Sequence, residues 1–310
     1  MKDASWWIEQ FKSDDAATQS EAAEVLVALG ETSYPTIAKF LNKPYMPGDQ
    51  RSVALSRAVT SFTHLGPSVV PALLAAIRLA APGELGHSGG VVALVRMGLV
   101  AFPEVEKALH APDKLVRASA VVALGMQGFA GRADPGSVPA IIQALKEDTA
   151  PEVRAVAASA LGAFRPLSQD AALALDEALK DHDEAVRLQA AMTLALSTRQ
   201  SREPSPETAA GIPVLIESLR SRNEEARAMA AMALRALGPA GEPAIPALAE
   251  ALEDPSTGSY AAQALAAMGA KGIEALQEAA DGSNRVARDH AAEALGRISQ
   301  QGKTQTDASL

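Results

Sequence analysis

The chain contains no cysteine, which excludes disulfides, thiolate metal sites and cysteine nucleophiles and leaves the redox compartment open. Aromatic residues make up only 4% of its 310 positions, and the apolar share of 48% rests mainly on Ala, Leu and Val. Such material suits closely packed helices with small residues at their contacts. No segment approaches the eighteen or so uninterrupted apolar residues of a membrane helix. The first residues, MKDASWWIEQF, place acids where a secretory signal needs bases, so a cytoplasmic chain with no membrane partner is expected.

Positive charge is also short. Lys and Arg number 28 against 37 Asp and Glu, a net charge of −9. A nucleic-acid binder needs the opposite balance, because neutralising phosphates supplies most of its affinity. Residues 1–31 are the most acidic stretch, with seven acids against Lys2 and Lys12. The five histidines show neither the H-x-x-x-H spacing of a metal site nor a Ser/His/Asp arrangement. The segment PGELGHSGG at 82–90 lacks the Lys-Ser/Thr that completes a phosphate loop, and reads as a joint. The expectation is therefore no catalytic residue, no metal and no cofactor.

What the chain has is a repeat. Arg, two residues, Ala, two residues and Ala-Leu recur as RASAVVAL at 117–124, RAVAASAL at 154–161 and RAMAAMAL at 227–234. Variants read RLQAAMTL at 187–194 and RDHAAEAL at 288–295, and weaker copies end at Leu26, Phe62, Leu94 and Leu265. The nine anchors lie thirty to forty residues apart, a spacing that marks stacked supersecondary units.

Each unit holds two helices. Asp15, Asp113, Asp183, Asn223, Asp254 and Asn284 stand eleven residues before an anchor, as N-caps of a second helix, and Pro255 would open one of them. Gly30, Gly66, Gly98, Gly128, Gly238 and Gly269 follow four residues after an anchor, where a helix ends in a left-handed turn. Pro35, Pro71, Pro103, Pro139, Pro213 and Pro246 then mark the next first helix, with Asp170 and Glu274 taking that role where proline is missing. Residues 197–210 read as a mobile surface loop and 301–310 as a disordered tail.

These motifs resemble the HEAT-repeat family, in the bacterial form similar to phycobilisome-lyase repeats. The likeness rests on VRASAVVAL and VRAVAASAL in second helices and on GPSVVPALLAAI and GEPAIPALAEAL in first helices. It implies an all-α solenoid, a superhelix of about nine two-helix repeats over residues 1–300, with residues 1–31 as an N-terminal cap. The unit ending at Leu94 departs most, with Gly83, Gly86, Gly89 and Gly90 in place of its cap and Arg. The family hosts several functions. A non-catalytic protein-binding scaffold leads, a chromophore lyase or chaperone is the alternative, and a DNA-repair protein fits the acidic balance poorly.

Arg117, Arg154, Arg187, Arg227 and Arg288 share one position, and are expected to bond neighbouring loops as a structural ladder. Trp6, Trp7 and Phe11 belong to a cap helix that lays aromatics over the end of the stack or docks a partner.

On a helical wheel, second-helix positions −8, −4, 0 and +3 from the anchor face the core, while −9, −5, −2 and +2 lie opposite. In the middle repeats that opposite face is largely apolar apart from Glu152 and Glu225. The first and last units read polar there, with Glu21 and Glu24 in one and His290, Glu293 and Arg297 in the other. The middle face carries Val122, Met126, Val156, Met192, Leu196, Met229, Met232, Tyr260 and Gln263. Second helices of HEAT-like arrays line the concave side, so the resemblance implies a groove for a protein or peptide partner there. Tight curvature burying the same face is the competing expectation.

Overall fold

The computed structural model describes residues 2–42, 50–79, 89–131, 133–197 and 205–307. Among them there is no strand; the chain is an α-solenoid of helix pairs. Two compact units divide it, Met1–Phe164 and Arg165–Leu310.

In the first unit the pairs are α1 (Ala4–Glu9) with α2 (Ala16–Ala28), α3 (Tyr34–Leu41) with α4 (Gln50–His64), and α5 (Val70–Arg78) with α6 (Gly89–Met97). They continue with α7 (Phe102–Ala108) and α8 (Lys114–Phe129), then α9 (Ser137–Glu147) and α10 (Pro151–Leu161). The second helices α2, α4, α6, α8 and α10 pack each on the next as one layer, and α1, α3, α5 and α7 do so as the other. In the second unit the pairs are α11 (Gln169–Ala178) with α12 (Glu184–Ser197), and α13 (Pro206–Ser218) with α14 (Glu224–Leu237). Two more follow, α15 (Ile245–Ala251) with α16 (Gly258–Ala267) and α17 (Ala270–Asp281) with α18 (Arg285–Asp307). Here α12, α14, α16 and α18 form one layer, while α11 packs on α13 and α15 on α17.

The anchors hold these layers together. Leu26, Phe62, Leu94, Leu124, Leu161, Leu194, Leu234 and Leu265 are at most 1% exposed, and only Leu295 is half-buried. Each buried Leu contributes about 2 kcal/mol by transfer alone. The small residues around them, such as Ala190, Ala230 and Ala261, are buried too and let the helix axes approach.

The punctuation works largely as the residues suggest. Asp15, Asp113, Asp183, Asn223 and Asn284 accept first-turn amide hydrogens. Pro35, Pro71, Pro103 and Pro246 sit in the opening residues of α3, α5, α7 and α15. Gly30, Gly66, Gly98, Gly238 and Gly269 adopt φ between +53° and +81°, where a Cβ would be strained.

Several boundaries differ from expectation. Gly128 lies inside α8, and Gly131 takes the positive φ instead. Glycine at 128 answers a different need, since a Cβ there would stand 2.6 Å from Phe164 Cζ. Asp254 does not cap α16, nor does Pro255 open it. The Asp254 carboxylate is taken by the Ser256 amide and hydroxyl and by Arg227, so residues 254–257 form a turn and the helix begins at Gly258. Pro213 lies within α13, which starts earlier at Pro206 on the side chain of Ser205. Thus 206–210 are helical rather than loop, and 198–204 lie outside the described residues. Glu274 comes too late to open α17, which starts at Ala270 after Gly269. The joint at 82–90 lies outside the described residues except for Gly89 and Gly90, which open α6. The end of the chain is not a disordered tail through 307, because α18 continues to Asp307.

Candidate functional site

The second helices have two opposed faces. On α14 the inward positions Ala226, Ala230, Leu234 and Leu237 are all buried, and so are Ala261 and Leu265 on α16 with its caps Thr257 and Met268. The opposite positions behave otherwise. None of the nine candidate residues is buried.

In the first unit, Val122 and Met126 of α8 and Val156 of α10 are half-buried. Leu115, on the same stripe of α8, is 50% exposed. Ser119 departs from the wheel: it is buried and its hydroxyl donates to the Leu115 carbonyl at 2.7 Å. In the second unit, Met192 and Leu196 of α12 and Met229 of α14 are half-buried, while Met232 and Tyr260 are 39% and 40% exposed. Because α12, α14 and α16 pack consecutively, these side chains form adjoining rows on one face. Gln263 is half-buried there, and its Oε1 accepts from Arg235 Nη1 at 2.9 Å across to α14. Composition of this kind, apolar, Met-bearing and rimmed by polar groups, suits a surface that repacks around a partner.

The end of α8 adds a residue that the wheel did not flag. Phe129 is 74% exposed, although the chain has only six phenylalanines. It lies at +5 from its anchor, just past the last position tested on the wheel.

The repeated arginines take no part in this face. Arg117 Nη1 donates to the Ala111 and Pro112 carbonyls at 2.9 and 3.1 Å, while its Nε and Nη2 grip both oxygens of Asp148 at 2.7 and 2.8 Å. Arg227 repeats the pattern, with the carbonyls of Ser221 and Arg222 and the carboxylate of Asp254. Arg154, Arg187 and Arg288 likewise bond carbonyls six and five residues before them. The ladder is structural, and it locks each loop onto its own second helix.

Its acids carry the electrostatic signature. The Arg117 guanidinium, helped by the Ala150 amide, outweighs burial and holds the Asp148 carboxyl below its ordinary range. At Asp254 burial pushes upward, but the Ser256 hydrogen bonds and Arg227 together win and bring it down to about 2.

Chemistry is sparse elsewhere. Among the described residues no three His, Asp or Glu side chains are placed to hold a metal ion, and no helix is long and apolar enough to cross a membrane. An open cleft of about 310 Å³ lies beside α9 in the first unit, with Gln143 and Glu147 on it, and one of about 390 Å³ lies beside α13 in the second, with Ile216 and Glu217 on it.

Comparison with known proteins places this geometry. Solved structures of similar fold include Kap121p bound to Pho4p, at a TM-score of 0.58 and 15% identity over 92% of this chain. The karyopherin Kap121p bound to the SUMO protease Ulp1p gives 0.59 and 16% over 92%, and Kap121p bound to Ste12p gives 0.59 and 17% over 92%. The present chain covers 36% of each of those chains, about a third of their length. At such identity the likeness is one of fold. No curated protein matches the sequence. The family model for HEAT repeats matches residues 102–195 and 173–260, together just over half of the chain, without naming a narrower subclass. The chain belongs to the HEAT-repeat family.

Proposed function

We propose that this chain is a non-catalytic scaffold that binds a protein or peptide on the outward face of its second helices. Val122, Met126, Val156, Met192, Leu196, Met229, Met232, Tyr260 and Gln263 are the contact residues. One observation carries the reading: eight of these nine residues opposite the core are apolar, yet none of the nine is buried. A helix face turned to water is ordinarily charged, and leaving Met and Tyr there is unfavourable unless a partner covers them. The fold supports it as well, since the Kap121p neighbours are solved with bound Pho4p, Ulp1p and Ste12p. The acidic balance argues for a protein rather than a nucleic acid, so no salt-sensitive duplex binding is expected at micromolar protein.

The test separates the face from the core. Met192→Glu combined with Met232→Glu places charge on the outward stripe and should shift stability by no more than about 1 kcal/mol. The same variant should lose the proteins that wild type captures, because an unpaired charge in a desolvated contact costs several kcal/mol. Leu194→Glu puts its charge where the side chain is 1% exposed and should unfold the second unit. A double variant that melts as early as Leu194→Glu, or that keeps every captured protein at full melting temperature, refutes the proposal.

A further inference from the structure

The N-terminal helix carries both of the chain's tryptophans, and it presents them unequally. Its inner side is firmly seated. Ile8 is buried, and Phe11 in the 3-10 turn that follows, 0% exposed, stacks on Phe40 at 6.0 Å between centroids and tilts against Phe62 at 5.6 Å. Its outer side is not seated: Trp6 is 38% exposed and Trp7 half-buried. Their rings meet at 4.8 Å and 88°, so the face of one and the other ring form a right-angled corner. That corner holds an ammonium group. Lys2 Nζ lies 3.4 Å from the Trp6 centroid and 5.4 Å from that of Trp7.

We propose that the Trp6–Trp7 corner is a binding site for an organic ammonium group, closed in this chain by its own Lys2. A tryptophan face attracts a cation through the ring quadrupole, and two faces at right angles hold it from two sides. The corner is held in shape from below by Ile8 and Phe11 and from its start by Asp3, whose side chain accepts from the Trp6 amide at 2.9 Å. Its surroundings favour positive charge, because residues 1–31 carry seven acids against two lysines. The neighbouring cations are engaged elsewhere: Lys12 pairs with Glu9, and Arg57 with Asp14. Lys2, exposed and outside the helix, can leave without disturbing α1. This site is independent of the outward face of the second helices, and neither reading depends on the other.

Because the chain has two tryptophans and both belong to the corner, tryptophan fluorescence, excited at the red edge where tyrosine does not absorb, reads this site alone. Titration with tetramethylammonium chloride, with Nα-acetyl-lysine amide and with uncharged neopentyl alcohol at matched ionic strength provides the test. A saturable response to the cations and none to the alcohol is expected. Lys2→Ala should lower the half-saturating concentration by about two- to fivefold, the worth of one exposed cation–π contact. Trp6→Leu, with its helical circular dichroism retained, should abolish the response of Trp7. A tighter response to tetramethylammonium assigns the site to a free quaternary ammonium, and a tighter response to the lysine derivative assigns it to a lysine of a partner protein. An equal response to neopentyl alcohol, no response to either cation, or an unchanged midpoint in Lys2→Ala overturns the proposal.

Discussion

Arg117 and Arg187 occupy the same place in their repeats and face different surroundings. Each bonds two carbonyls of its own loop, at 2.9 and 3.1 Å in both cases. Beyond that they diverge. Arg117 closes on Asp148 with two short bonds in a site where the side chains are 14% and 7% exposed. Arg187 meets Glu217 at 3.4 Å, on a carboxylate that is 71% exposed. The own-loop bonds are the constant part of the motif, and the acid from the following repeat is variable. The difference in burial decides what each arginine is worth. A charge pair removed from water is costly to break, since the survivor is stranded, whereas an exposed pair is worth about 0–1 kcal/mol.

Four measurements break or sharpen this contrast. Arg117→Ala should lose about 3 kcal/mol in denaturant unfolding, because Asp148 is left buried without its partner. Arg187→Ala should lose about 1 kcal/mol, the loop bonds alone. Equal losses would show that the acid contributes nothing, and the comparison would collapse. Third, acid should find the tight clasps. Asp148 and Asp254 both have their carboxyls held below the ordinary range, so their stabilisation is complete above about pH 4 and is lost as pH falls further, toward about 2 for Asp254. For Asp254 this amounts to about 1–2 kcal/mol once solvent screening is allowed for. Asp254→Asn should flatten the acid limb of the stability curve, and an unchanged limb would put the acid sensitivity elsewhere. The smallest effect belongs to Glu217→Gln, expected to stay within about 0.5 kcal/mol at any pH.

Much of this fold was legible in the sequence because its signals are local. The anchor leucines, the Asp and Asn caps and the prolines at first-helix starts each act within one turn, and they specify the same pairs that the structure contains. The arginine ladder was readable for the same reason, since its bonds run five and six residues back along the chain. Two of the misses involve contacts distant in sequence. Gly128 looked like a helix end but is small because Phe164 lies against it. Asp254 looked like a cap but serves Arg227, twenty-seven residues away. Ser205-Pro206-Glu207 was a start signal in plain view, overshadowed by the expectation that Pro213 had that role. The outward stripe was legible as a pattern on a wheel, but its accessibility depends on how successive helices pack, which no single helix encodes. The Trp6–Trp7 corner depends on a ring angle and was legible only as two aromatics side by side.

The own-loop bonds of these arginines have a bearing on how such a chain can lengthen. A stretch copied with its Arg and the six residues before it brings its donor and its acceptors together. A duplicated segment therefore arrives with its turn already closed, and its only new requirement is a flank of small side chains to lie against. Where the acid of the next segment happens to suit, as Asp148 does, the joint tightens later by a single substitution. Growth by whole segments is thus nearly free of frustration at the turn, and rigidity can be tuned one junction at a time.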